Sequence, residues 1–315
     1  GKPLEYAELF LTEAKESFEI GIERAVEESG STITSLMTDA FFSFGREMAV
    51  ALGGVPWIPV WTAGSNSLIA HVYTDFIRET VGCGDGILGK EDEPLAIIPG
   101  LSKARVRDLP EDVITGRLDS IFAKTIEQMG RELIHADAVV VNSFEELDPD
   151  CFNGLKSKFK RCLTVGPLDM VMPPPKQRDE FRCMEWLLGR TPGSVAYICF
   201  GTMMTPPPHE LAALAEALEA KGVPFIWSLK DHAKALLPDG FVERTKSQGI
   251  IVSWAPQPMI LSQEAVAVFI THAGWKSVLE SITGGVPMIC RPFFGDQRLN
   301  ARAVEDVWQI GVTVE

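Results

Sequence analysis

Positive charge is scarce in this sequence. Its 29 Lys and Arg stand against 43 Asp and Glu, a net charge of −14. A chain this acidic offers no electrostatic footprint for nucleic acid or an anionic membrane. No basic cluster stands out either, so any phosphate must be held locally, by helix ends and single side chains. Cysteine is thinly spread: Cys83, Cys151, Cys162, Cys183, Cys199 and Cys290 form no C-x-x-C pair. That pattern suggests neither a zinc framework nor a disulfide scaffold and fits a reducing cytosol. Cys199 and Cys290 lie in apolar runs and read as small core residues. No apolar run is long enough to span a membrane. No strand leads into a G-x-G-x-x-G turn, which disfavours a Rossmann-type dehydrogenase; Gly82-Cys83-Gly84-Asp85-Gly86 follows a helix and reads as a loop. The opening Gly1-Lys2-Pro3 is neither an initiator Met nor a signal peptide.

What is present is an ordinary globular composition, 46% hydrophobic over 315 residues, which suits two domains. Apolar residues at helical spacing predict a helix over 4–28 and another near 119–134. Short β-rich runs alternate with these patterns: 35–40, 55–60, 138–143 and 162–165, then 194–200, 223–229 and 249–253. The repeated β-α-β order implies parallel sheets. A long irregular connection, 87–116, separates elements of the first half, and loops of that length usually serve binding. The Pro-rich, then charged stretch around 170–182 is the linker candidate. The expected domains are therefore 1–169 and 183–315. Both ends of the chain look cut, as expected of a fragment of a longer protein.

The chemistry concentrates between Trp254 and Gln297. An apolar run, 265–270, ends in Thr271-His272-Ala273-Gly274 and feeds an amphipathic helix, Trp275–Ile282, which a Gly284-Gly285 pair stops. A strand turning tightly into a helix leaves N–H groups free at a partially positive end, which suits a phosphate. His272, Gly274 and Ser277 stand where it would lie. Glu280, one turn past Ser277, can accept hydrogen bonds from a vicinal diol. Trp254-Ala255-Pro256-Gln257 offers an indole for base stacking, and Asp296-Gln297 offers a carboxylate and an amide for sugar hydroxyls. Singly, each has a bland reading: His272 as a structural histidine, Glu280 as a solvated helix residue.

As a set in this order, WAPQ, THxGW, Ser277, Glu280, GGVP and RPFFGDQ resemble the nucleotide-sugar signature of plant UDP-dependent glycosyltransferases. TDAFFSFGREMA, WTAGSNSL, HVYTDFIRE, VRDLPEDV, VVVNSFEELDPD and VAYICFGTMMTPPP resemble the flavonoid 3-O-glucosyltransferase branch, so the likeness covers nearly the whole chain. It implies two facing Rossmann-like domains (GT-B type), truncated at both ends. The first would take an anthocyanidin or flavonol acceptor and the second a UDP-sugar. The implied reaction is inverting transfer of glucose from UDP-glucose to the acceptor's 3-hydroxyl, with no cofactor or metal, in a cytoplasmic monomer without nucleic-acid or membrane partners.

By the same likeness Trp254 stacks on uracil, Gln257 and Glu280 hold the ribose, and His272 and Ser277 meet the phosphates with Thr202 nearby. Asp296, Gln297 and Thr62 hold the sugar, and Ala255, Gly274, Trp275 and Lys276 complete the donor set. Phe41 and His71 would touch the acceptor. Asp39 would orient a histidine base expected upstream of Gly1; without the likeness it reads as a strand-end Asp capping the next helix. Four positions depart from the family pattern. Lys276 replaces an Asn, Gln263 a His and Ala273 a Cys or similar small residue, while Pro110 stands where some relatives have a polar acceptor contact. Another small phenolic acceptor, or a non-catalytic UDP-sugar binder, are the alternatives.

Overall fold

The computed structural model describes residues 3–171 and 178–314. It divides into two compact units, Gly1–Pro173 with Phe294–Leu299, and Pro174–Phe293 with Asn300–Glu315. Residues 172–177, inside the linker expected over 170–182, lie outside the described residues.

In the first unit β1 (Leu36–Asp39), β2 (Trp57–Trp61), β3 (Val139–Val141) and β4 (Cys162–Thr164) form one parallel sheet in chain order. Parallel neighbours require crossovers, and helices supply them: Gly45–Ala51, then Ser65–Val72, Thr74–Thr80 and Ile121–Leu133, then Pro149–Lys158. Local chemistry starts the last two. The Ser120 side chain accepts from the Ala123 N–H at 3.1 Å. Asp148 accepts from the Cys151 N–H at 3.3 Å, ahead of a proline in the first turn. Ile126, Met129 and Leu133 recur at helical spacing and are buried in the core with Trp57, Trp61, Leu68, Ile69 and Phe152. Each core tryptophan finds an acceptor for its indole N–H: Thr38 Oγ1 at 3.0 Å for Trp57 and the Gly64 carbonyl at 2.9 Å for Trp61.

Two expectations for this half change. The glycine-rich 82–86 stretch is partly ordered, as a 3-10 turn over Gly84–Ile87. The 87–116 connection also contains structure: a 3-10 turn Val106–Asp108, a short helix Glu111–Ile114 and an antiparallel bridge between Pro94 and Arg105. These are single turns held by a few hydrogen bonds, too short to impose a periodicity on sequence.

The second unit carries a six-stranded parallel sheet: β5 (Val195–Cys199), β6 (Phe225–Ser228), β7 (Gly249–Val252), β8 (Val266–Thr271), β9 (Met288–Cys290) and β10 (Gly311–Thr313). Their spatial order is β10-β9-β8-β5-β6-β7. Read from β7, this is the 3-2-1-4-5-6 order of a Rossmann sheet. Helix Pro208–Lys221 closes on Gly222, whose φ of 64° provides the left-handed cap. Past Gly295 the chain is α-helical over Gln297–Arg302 and widens into a π-turn over Ala303–Val307. Cys290 is a core residue, as its run implied, and burial pushes its thiol up to about 12. Among the described residues no helix is long and apolar enough to cross a membrane. The parallel α/β sheets are those the alternating pattern implied, and the two Rossmann-like halves are those the family resemblance implied.

Candidate functional site

In the second unit the strand order reverses between β5 and β8, so their connections leave in opposite directions. The carboxyl ends of those two strands are where a doubly wound sheet opens a crevice. β5 exits into Gly201 and Thr202, and β8 exits into His272. Helix Trp275–Gly284 starts three residues later with Gly274 as its N-cap and ends at Gly285, which takes a left-handed φ of 67°. The phosphate-type helix start read from sequence therefore lies at the switch point.

One polar network fills this end. The Gln257 amide Nε2 donates to Glu280 Oε2 at 2.6 Å and to Ser277 Oγ at 3.0 Å, and the Tyr197 hydroxyl donates to Gln257 Oε1 at 3.1 Å. Removing a carboxylate from water is costly unless hydrogen bonds replace the lost solvent. Here an amide NH₂ faces Glu280, whose side chain keeps only 6% of its exposure. Lys276 Nζ stands 3.7 Å from Glu280 Oε1 but is itself 71% exposed, so the pair is largely solvent-screened. Ser277 accepts from Gln257 and retains its own O–H for another partner. Trp254, just past β7, leaves 42% of its surface open.

His272 is walled by glycines. A Cβ on Gly274 would come 2.5 Å from its Nε2, and one on Gly201 would come 2.9 Å from its ring. Any side chain there would push the imidazole out of place. Burial holds the His272 pKa down to about 4, opposed by the Cys199 carbonyl, so the ring is neutral at pH 7. Its Nδ1 is buried and makes no full hydrogen bond among the described residues. Between His272 and Gly274, Ala273 adopts φ 61°, a left-handed conformation unusual for a residue with a Cβ. The turn is held by the Ala273 N–H donating to Thr271 Oγ1 at 3.3 Å and by Asn300 Nδ2 donating to the Ala273 carbonyl at 3.0 Å. The other donor candidates are dispersed by burial. Ala255 and Trp275 are buried, with Trp275 tilted on Trp308 at 6.2 Å. Thr202 is exposed, and its carbonyl accepts from Lys230 Nζ at 2.5 Å.

In the first unit the carboxyl ends of β1 and β2 are in register, with Asp39 opposite Val60. Asp39 is half-buried, and its Oδ1 accepts from the Phe41 N–H at 2.9 Å. Thr62 is exposed at the exit of β2. Phe41 stacks on Trp61 with centroids 5.4 Å apart, and Trp61 meets His71 edge-on at 5.6 Å. The two acceptor candidates thus share one buried indole. Asp296 and Gln297 pack with this unit, where Leu299 joins its core. Glu111 holds their loop, accepting from the Gly295 N–H at 2.8 Å and from Arg298 Nη1 at 2.7 Å.

Tyr197 and Glu111 were missed in sequence. Tyr197 sits inside an apolar strand, where a tyrosine reads as core, and Glu111 meets partners 184 and 187 residues away. Among the described residues no group of three or more His, Cys, Asp or Glu is placed to hold a metal ion.

Residues 176–315 match the family of UDP-glucoronosyl and UDP-glucosyl transferases. The whole chain is 54% identical to a flavonol 3-O-glucosyltransferase of Arabidopsis thaliana, of which it covers 68%. It is 53% identical to an anthocyanidin 3-O-glucosyltransferase of Vitis vinifera, of which it covers 69%. An anthocyanidin 3-O-galactosyltransferase of Rhododendron delavayi is 51% identical and covered to 69%. Among solved structures, a UDP-glucose:anthocyanidin 3-O-glucosyltransferase in complex with UDP superposes with a TM-score of 0.93 at 43% identity, over all of this chain and 70% of that one.

Proposed function

This chain belongs to the family of UDP-glucoronosyl and UDP-glucosyl transferases, and on that premise we propose that it transfers glucose from UDP-glucose to the 3-hydroxyl of a flavonol or anthocyanidin. The observation that carries the reading is the Gln257–Ser277–Glu280 network beside the glycine-walled His272, at the switch point of a Rossmann sheet. A nucleoside diphosphate needs a carboxylate for its ribose diol and donors for its phosphates. Glu280 supplies the first. Ser277, the neutral His272 ring and the helix N-terminus supply the second. Trp254 is open to stack the base. Asp296, Gln297 and Thr62 are assigned to the sugar.

The reaction requires a base to take the proton of the acceptor hydroxyl, whose oxygen then attacks the sugar C1 as UDP leaves with inversion. Asp39 is assigned to orient that base, an imidazole in the family. Donors aimed at the departing diphosphate stabilise the charge it gains. Phe41 and His71 are assigned to the flavonoid. We further propose that the protein works as a cytoplasmic monomer, with no metal or organic cofactor and no nucleic-acid or membrane partner; its net charge of −14 supports the last point.

The test is to incubate the product of the complete gene with kaempferol or cyanidin and, in parallel, UDP-glucose or UDP-galactose. Chromatography with mass detection should show a 3-O-glucoside as the faster-formed product. A galactoside formed faster would correct the sugar. No glycoside from any flavonoid, with UDP still bound, would refute the acceptor class.

A further inference from the structure

The Glu111–Ile114 turn carries a second carboxylate whose position calls for an explanation. Asp112 Oδ2 lies 3.6 Å from Nδ1 of His71. Both atoms are buried, and among the described residues neither has a hydrogen-bond partner. The gap is longer than a hydrogen bond. Each atom nevertheless bears an unmet desolvation penalty that a small closing movement would remove for both. The turn is fixed from behind. Arg78 donates from Nε to the Val113 carbonyl at 2.7 Å and from Nη2 to the Asp112 carbonyl at 3.0 Å, while its Nη1 pairs with Glu127 at 2.5 Å. The Asp112 backbone is therefore held, and its side chain is the part free to adjust toward the ring. On the other partner, the edge contact with Trp61 limits rotation of the imidazole.

A neutral imidazole carries one N–H, and a carboxylate can only accept. Opposite Asp112, the proton belongs on Nδ1, and Nε2 is left with a lone pair. Burial holds the His71 pKa below the ordinary histidine value, with Asp112 opposing, so the neutral ring is the form present at pH 7.

We propose that Asp112 is a positioning residue for the acceptor: it holds the Nδ1 proton of His71 so that Nε2 accepts a hydrogen bond from a phenolic hydroxyl of the flavonoid. The opposite tautomer would present an N–H and suit a carbonyl edge instead. Asp112 thus selects which edge of the acceptor faces His71. This rests on the assignment of His71 to the acceptor made above.

Two measurements test it. In the unaltered full-length protein, labelled with ¹⁵N at histidine, the His71 resonances (identified by their loss in His71→Gln) should report the Nδ1–H tautomer. Asp112→Ala should move them toward Nε2–H. In kinetics, Asp112→Ala should raise the flavonol KM by roughly two- to tenfold, the worth of one hydrogen bond, and leave the UDP-glucose KM unchanged. A merely structural role would lower the melting temperature and move both constants. An Nε2–H tautomer in the unaltered protein overturns the proposal, as does an unchanged flavonol KM in a folded Asp112→Ala variant. The broader reading fails separately: it shows as no glucosyl transfer to flavonoids by the unaltered protein, with the tautomer as expected.

Discussion

On the proposed assignment of donor and acceptor, the two units prepare for their ligands by opposite means. The second gathers polar groups: Tyr197, Gln257, Ser277 and Glu280 are bonded to one another. The first gathers rings: Phe41 and His71 both meet the Trp61 indole, and among the described residues the polar atoms beside them, His71 Nδ1 and Asp112 Oδ2, have no hydrogen-bond partner. The contrast follows from the ligand chemistry. A ribose diol and a diphosphate reward donors and acceptors fixed in advance, because a misplaced polar group in a buried site loses its hydrogen bond and keeps its desolvation cost. A flat phenolic acceptor is held by ring contacts, which tolerate sliding, and needs few polar anchors. Donor recognition should therefore be rigid and readily broken by single changes, and acceptor recognition should be adjustable.

The sharpest way to break this comparison is at Asp39, which belongs by position to the first unit but is assigned to the chemistry. Asp39→Ala in the full-length protein should lower kcat by roughly 10²- to 10⁴-fold, the usual share of general-base catalysis, with the UDP dissociation constant unchanged by calorimetry. The reverse pattern would remove Asp39 from catalysis. Next in size is a pH effect on the second unit. His272 is held at about 4, below its unfolded value, so between those two values the unfolded chain binds more protons. The stability this group confers is complete above pH ~6.5 and is lost as pH falls through 4, by up to about 3 kcal/mol. Denaturant titrations at pH 7 and pH 5 should show the loss, and His272→Gln should flatten it. The lowered pKa of His71 acts in the same direction, so a residual slope belongs to the first unit.

Glu280→Ala removes the carboxylate at the centre of the network. UDP should bind roughly 10- to 100-fold more weakly, as expected for losing hydrogen bonds to a charged group, while the kaempferol KM stays constant. Unaltered UDP affinity would mean the ribose lies elsewhere. The smallest effect is expected at Lys276, whose pairing with Glu280 is exposed. Lys276→Asn should weaken UDP binding by less than about fivefold and flatten its dependence on salt. A larger loss would show that the lysine reaches the diphosphate.

Much of the second unit was legible before folding was considered. Helix Pro208–Lys221 is bounded in sequence by Pro208 and by Gly222, residues whose backbone preferences act locally. The β8-turn-helix unit was visible because a β-branched run, a glycine and an amphipathic stretch follow one another without a gap. Short helices such as Thr74–Thr80, Asp231–Lys234 and Gln257–Leu261 were not visible, since one or two turns carry too few residues to display a period. Within the site, the roles of Ser277 and Glu280 could be guessed from their shared helix face. That of Tyr197 could not, because its partner is sixty positions away in sequence. The strain at Ala273 was also hidden, since alanine gives no local hint of a positive φ.

The sequence by itself determined the alternation of strands and helices, the glycines that terminate and bend them, and the order of chemical groups from Trp254 to Gln297. These depend on periodicity and on the backbone preferences of single residues, which act over one or two turns. Only the tertiary structure decided that β5 lies beside β8, that Tyr197 holds Gln257 against Glu280, that Glu111 grips the Gly295 loop, and that Asp112 faces His71. Each of these joins residues that the chain keeps far apart. Such contacts form only when closing the intervening loop is offset by burial of the whole core, a sum to which no local stretch holds more than a part.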